Sequence, residues 1–423
     1  MMKRFGFGLI LLVLASAGAF WVFAHRFEEI PAIAPLQASS FAPDVIKRGE
    51  QLAGLGACET CHTKSGGQAF AGGRSFVTPF GTVYATNITP DRETGIGTWS
   101  EAAFLRAMRE GIDRQGRHLY PVFPYDHFTK VREADLLAIY AYLMTRPTVS
   151  KRPATNQLSF PFNMRFLLAG WNLLFLERGA LAPVASKSEA WNTGAYLVAG
   201  LGHCGACHSP RNALGAIETT RALAGGEAQD WYGPPLGATA IAPVKWTKEA
   251  LINYLVDGWD ADHGVAAGPM IPVVNHLAMQ PEDASEAIAT YLAGLVGPTP
   301  AAEREAVLAA ARARDYDRLA PGGAASQGEQ VFARACASCH RKGATTVPLA
   351  LGTTLHAPDA RNALDIVMNG IKPPNGAPDK TMPRFASSLS DSELVELMGF
   401  LRSRFAQKPA WPSVEAQVKA RRQ

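Results

Sequence analysis

The chain has 423 residues, a length suited to about three ordinary domains, with 47% apolar and 18% charged residues. That balance excludes a disordered protein. The net charge of +4, with no basic stretch interleaved with aromatics, argues against nucleic acid as a partner.

Lys3 and Arg4 lead into an apolar run over residues 5–24. A basic start followed by a long apolar stretch marks an export signal. Twenty residues are also just enough to span a bilayer as a helix. The run passes the small-residue site Ala15-Ser-Ala17 and continues through Phe20, Trp21, Val22 and Phe23. Residues 1–26 are therefore expected to form an uncleaved anchor helix, with a cleaved signal as the alternative. The basic pair would stay cytoplasmic and the remainder would lie outside. Residues 27–41, with Pro31 and Pro35, read as a tether.

A short amphipathic helix beginning at Asp44 leads into Cys58-Glu-Thr-Cys61-His62. Two thiols three positions apart, with a histidine directly after, form the attachment signature of a c-type haem. The pattern recurs as Cys204-Gly-Ala-Cys207-His208 and Cys336-Ala-Ser-Cys339-His340, and together the copies use all six cysteines. A redox dithiol has no need of that histidine, and a zinc site needs four ligands. Three copies with no thiol to spare point to three covalently bound haem c groups, with His62, His208 and His340 as iron ligands. Such attachment requires export, which points to the periplasmic face of a bacterial inner membrane.

The chain carries an internal repeat around these motifs. Gly49, Gly194 and Gly328 sit in the helix before each motif. Gly111, Gly258 and Gly370 each end a later apolar-periodic helix, as a C′ glycine does. Twelve residues after these glycines lie Phe123, Met270 and Met382; twelve residues before the first two lie Trp99 and Trp246. Amphipathic helices with acidic first turns are expected over residues 133–144, 281–295 and 391–402. The fold class is thus mainly α. Three tandem domains, each resembling a small cytochrome c, are expected at residues 42–150, 188–298 and 324–406.

Met270, in Ala-Gly-Pro-Met270-Ile-Pro, and Met382, in Thr-Met382-Pro, stand in proline-stiffened loops after their haem motifs. That is where a cytochrome c supplies its sixth iron ligand. Met279 and Met368 read as core filler. The first copy has Phe123 at the equivalent position, and phenylalanine cannot coordinate iron. Three outcomes are open there. His127 binds and makes the first haem bis-histidine, Met108 reaches in from the preceding helix, or the iron is five-coordinate. His127 is preferred as the imidazole nearest that point.

Residues 151–187 form a connector whose apolar part, 163–176, is too short to span a membrane. It either lies on a bilayer or partner, with Trp171 at the interface, or packs one haem domain on the next. Residues 299–323 form a second connector, with a helix expected over 301–319. Residues 407–423 read as a basic, amphipathic tail, expected to be a solvated end, with contact to lipid headgroups or a partner as the alternative.

The three motifs, the anchor-like start and Leu119-Tyr-Pro-Val-Phe-Pro-Tyr-Asp-His-Phe-Thr together resemble the three-haem cytochrome c subunit of bacterial membrane-bound dehydrogenases. Those complexes act on alcohols, gluconate, aldehydes or nicotinate. The resemblance implies a large dehydrogenase subunit as electron donor and ubiquinone or a terminal oxidase as acceptor. In the alcohol and sugar-acid branch, methionine stands where this chain has Phe123. The Phe-Pro-Tyr-Asp-His form looks more like the branch paired with molybdenum hydroxylases, which favours that partner over a quinoprotein or flavoprotein. Two other readings remain: a self-contained peroxidase or reductase using an open first haem, and quinone chemistry at residues 163–176.

Overall fold

The computed structural model describes residues 2–318 and 325–422, and one kind of helix crossing recurs three times along it. Pro43–Leu55 crosses Glu133–Met144, Glu189–Ala199 crosses Glu282–Val296, and Gln327–Ala335 crosses Asp391–Ala406. At each crossing a glycine of the first helix faces a main-chain carbonyl of the second. A Cβ on Gly49 would collide with the Ala138 carbonyl, one on Gly194 with that of Ala287, and one on Gly328 with that of Glu396. One turn further along, the partner helix places the Cβ of Tyr142, Tyr291 or Phe400 at 2.8, 2.7 and 2.8 Å from the same points. Only glycine permits so close an approach. The glycine spacing seen in the sequence is therefore the spacing of a repeated backbone contact.

The intervening helices Glu101–Glu110, Lys248–Val256 and Arg361–Asn369 follow the same plan. Ser100 and Thr247 cap the first two by accepting from the amides of Ala103 and Ala250. Gly111, Gly258 and Gly370 close them with φ of 64°, 78° and 73°, a conformation in which side chains are disfavoured. Ser390 and Glu393 form a reciprocal capping box at the start of Asp391–Ala406.

The chain divides into two compact units. The first comprises residues 1–183 and 196–203 and holds the first haem motif. It contains a three-stranded antiparallel sheet of Ser75–Thr78, Gly81–Tyr84 and Gln157–Leu158, with Ser75 opposite Tyr84 and Gly81 opposite Leu158. Helix Met2–Ala24 leads it. Among the described residues no helix is long and apolar enough to cross a membrane. The side chains of Lys3 and Arg4, on which the charge argument rested, lie outside the described residues. Residues 27–41 run along this unit instead of hanging free. The Ile30 amide donates to the Arg114 carbonyl at 2.9 Å, the Ile33 amide to that of Thr98 at 3.0 Å, and Glu29 pairs with Arg114 at 2.7 Å.

The second unit comprises residues 184–195 and 204–423 and holds the second and third motifs. Its hairpins are Gly226–Ala228 with Trp231–Gly233, and Trp259–Asp260 with Gly264–Val265. The connector helix here is Ala301–Arg312, shorter than expected from the sequence; residues 319–323 lie outside the described residues. The C-terminal tail departs from the solvated end expected of it. Val414 and Val418, one turn apart on helix Val414–Arg422, are buried together with Trp411, whose indole N–H donates to the Ala357 carbonyl at 2.9 Å. Arg421 pairs with Asp365 and with Asp230, both at 2.9 Å.

Candidate haem centres

The first motif forms the short helix Cys58–His62, and in the second Cys204 caps the helix Gly205–His208. In both, the backbone turn brings the thiols to one side and fixes the histidine. His62 Nδ1 donates to the Thr86 carbonyl at 2.7 Å, and His208 Nδ1 to the Pro234 carbonyl at 2.6 Å. With Nδ1 carrying the proton, Nε2 is the nitrogen left for iron. Burial depresses the pKa of both imidazoles, and those hydrogen bonds only partly oppose it, so both rings are neutral and able to ligate. Burial also holds the thiols protonated: Cys58 and Cys204 are each pushed up to about 12, with Cys61 and Cys207 adding to the effect. No disulfide joins any two of the six cysteines.

The third motif is built differently. Cys336 closes helix Gln327–Ala335 and is buried in the core of its copy, whereas Cys339 is exposed. His340 is again depressed by burial, but its Nδ1 is buried without a hydrogen-bond partner. A cavity of about 260 Å³ opens beside it, lined by Val347, Leu349 and Phe405 and by the charged side chains of Arg312, Arg341 and Asp315. Two cysteines three positions apart beside an imidazole whose charge burial disfavours make the donor sets fit haem c, and in the first two copies a main-chain carbonyl also orients the ring.

The loops opposite differ among the copies. Gly268, at φ 53°, lies against the Trp231 ring, a Cβ there coming 2.5 Å from ring atom Cζ2. Gly233 of the same hairpin lies against Cys207 and, by its Cβ direction, 3.5 Å from His208 Nδ1. One hairpin thus links the second motif to the loop preceding Met270, which begins helix Met270–Leu277. Met382 exchanges backbone hydrogen bonds with Ile371 at 3.0 and 3.2 Å and packs against the core that includes Cys336, Phe332 and Val367. Met368 is core, as its filler reading requires, but Met279 is 66% exposed and fills nothing.

In the first copy Phe123 packs on Phe128, with centroids 5.5 Å apart. His127 lies in the short helix Tyr125–Phe128. Its Nδ1 donates to the Ala199 carbonyl at 2.8 Å, and its Nε2 is buried without a partner. Met108 sits among Ala103, Phe104 and Ala107 on the buried face of its helix. The Tyr125 hydroxyl donates to Asn172 Oδ1 at 2.7 Å, and Asn172 Nδ2 donates to the Glu110 carbonyl at 3.0 Å. Helix Leu168–Phe175 is thereby fastened to the first ligand loop, while Leu173 and Leu174 face outward.

Sequence reasoning missed the carbonyls of Thr86 and Pro234. Main-chain acceptors on loops carry no residue-type signal.

A family model described as cytochrome c matches residues 46–147, and one described as cytochrome c oxidase, cbb3-type, subunit III, matches residues 323–401. A nicotinate dehydrogenase subunit of Pseudomonas putida is 47% identical over 403 residues, 93% of this chain; the chain spans 33% of that relative. The cytochrome c subunit of gluconate 2-dehydrogenase from Pantoea cypripedii is 36% identical, over 85% of each chain. That of the quinone alcohol dehydrogenase from Gluconobacter oxydans is 34% identical, over 85% of this chain and 78% of its own.

Proposed function

The chain belongs to the cytochrome c subunits of bacterial dehydrogenases, multihaem proteins that transfer electrons, and on that premise we propose that it carries three haem c groups in three cytochrome c-like domains and conducts electrons from a dehydrogenase partner. The observation that carries this reading is the threefold motif, each copy ending on a histidine whose pKa burial depresses. Each haem supplies a one-electron iron couple. The thiol pairs hold the group covalently, and the Thr86 and Pro234 carbonyls fix the ring planes of His62 and His208. Met270 and Met382 would supply the second and third irons with a thioether, and His127 Nε2, buried without a partner, would supply the first with an imidazole nitrogen.

The partner is a large dehydrogenase subunit, and the resemblance of the Phe-Pro-Tyr-Asp-His loop at Phe123 favours a molybdenum hydroxylase. Electrons pass on to ubiquinone or a terminal oxidase. The protein sits at the periplasmic face of the inner membrane. Helix Met2–Ala24 exposes Ile10 to Leu14, Trp21 and Val22, and the same unit exposes Leu173 and Leu174. An apolar surface of that extent suits lipid.

Carbon monoxide tests the electron-carrier reading against a self-contained haem enzyme. Added to the dithionite-reduced protein, it is expected to leave the Soret band in place, because every iron has a sixth ligand. A large shift would mean an open iron and would favour enzymatic chemistry at the first haem.

A further inference from the structure

The ligand loops of the second and third copies lie in one unit and are locked to each other. The third loop runs from Gly370 to Met382, and its middle is seated on the second. Pro374 fills the space beside Gly258, the glycine that opens the Met270 loop, so that a Cβ there would strike the proline ring. The Asn375 amide donates to Asn275 Oδ1, on helix Met270–Leu277, at 2.8 Å. Gly376 rides on the backbone of Asp257, a Cβ there coming 2.6 Å from its Cα. Lys380 Nζ stands 4.2 Å from the centroid of the Trp259 ring, a cation–π contact. The Asn362 side chain bonds both the amide and the carbonyl of Tyr232, at 2.8 and 2.9 Å, on the hairpin that grips Cys207. The third copy therefore holds the second site on both its methionine side and its thiol side.

We infer that Asn275 and Gly258 are positioning residues for electron exchange between the second and third haems: they make the two methionine loops one mechanical element, so that a change at either sulfur is felt at the other. The exchange is a one-electron step, in which one ferrous iron is oxidised and its ferric neighbour reduced, with no bond or proton transferred. Its rate depends on a fixed separation, and a docked loop supplies that fixity. The inference rests on reading Met270 and Met382 as the sixth ligands.

Exogenous imidazole tests it on the full-length oxidised holoprotein. Imidazole displaces a methionine only when its loop lifts, and the weak red absorption band of methionine-ligated ferric haem reports the loss. Asn275→Ala removes one hydrogen bond to the third loop from an exposed position, which is worth roughly fivefold in a docking equilibrium. The imidazole affinity of the Met382 site should rise by about that factor, although the substitution lies in the second copy. Asn275→Asp, which keeps the acceptor, should restore the native titration. Met382→Ala identifies the third site's share of the band. A Met382→Ala spectrum with the band unaltered would remove the ligand reading itself. A normal loss of the band in Met382→Ala, together with native titrations in Asn275→Ala, would overturn the coupling alone.

Discussion

Met382→Ala is expected to open one iron to carbon monoxide and to lower the reduction potential of that haem by a sizeable part of the roughly 0.8 V that axial ligands span. Thioether ligation favours ferrous iron, and its loss removes that preference. The Met382 backbone is held by paired hydrogen bonds to Ile371, and its side chain packs against the core around Phe332. Met270→Ala should behave in the same way at the second site, where the loop is braced on Trp231. Met279→Ala is the control. Its side chain is exposed, and neither potential nor ligand binding should move. Redox titration of the Soret band, with and without carbon monoxide, reads all three variants. A Met382→Ala protein with native potentials would remove this methionine from the iron.

Asp135→Ala is expected to destabilise the first unit by about 3 kcal/mol, read as a shifted denaturation midpoint. The Asp135 carboxylate is buried and accepts from Arg48 Nε and Nη2 at 2.9 and 2.6 Å, from Arg132 Nε at 3.2 Å and from the Tyr196 hydroxyl at 2.6 Å. Removing it leaves the Tyr196 O–H without its acceptor, although that oxygen still accepts from the Arg132 amide at 3.1 Å, whereas both arginines are largely exposed and regain water. That partial recovery keeps the cost at the lower end for a broken buried pair. Burial pushes the Asp135 carboxyl up, but the Tyr196 and Arg48 hydrogen bonds outweigh it and hold the group below its ordinary value. A depressed carboxylate stabilises the fold above the unfolded pKa and loses that contribution as pH falls through the folded one. The wild type should therefore lose more stability than Asp135→Ala on acidification below about pH 4.

Much of the architecture was legible because it repeats. The three haem motifs and the glycines at 49, 194 and 328 recur at matched positions, and the structure turns each such glycine into the same helix crossing. The helix caps at Ser100, Thr247 and Ser390 are local and carry their usual residue types. What stayed hidden is non-local or made of main chain. Pro374, Asn375 and Gly376 look like ordinary turn residues, and nothing in their order points to Gly258 or Asn275 a hundred positions away. The tail is polar by composition, yet two valines and a tryptophan are enough to seat it once Ala357 supplies an acceptor. Residues 27–41 have a tether's prolines, but their amides are taken up by the first unit.

Acid denaturation followed by extraction with organic solvent, with the intact mass measured in parallel, tests the central claim most directly. Three thioether-linked porphyrins predict that the red colour stays with the polypeptide and that its mass exceeds that of the bare chain by three haems. Colour passing into the solvent, or an excess of fewer than three, would contradict the account.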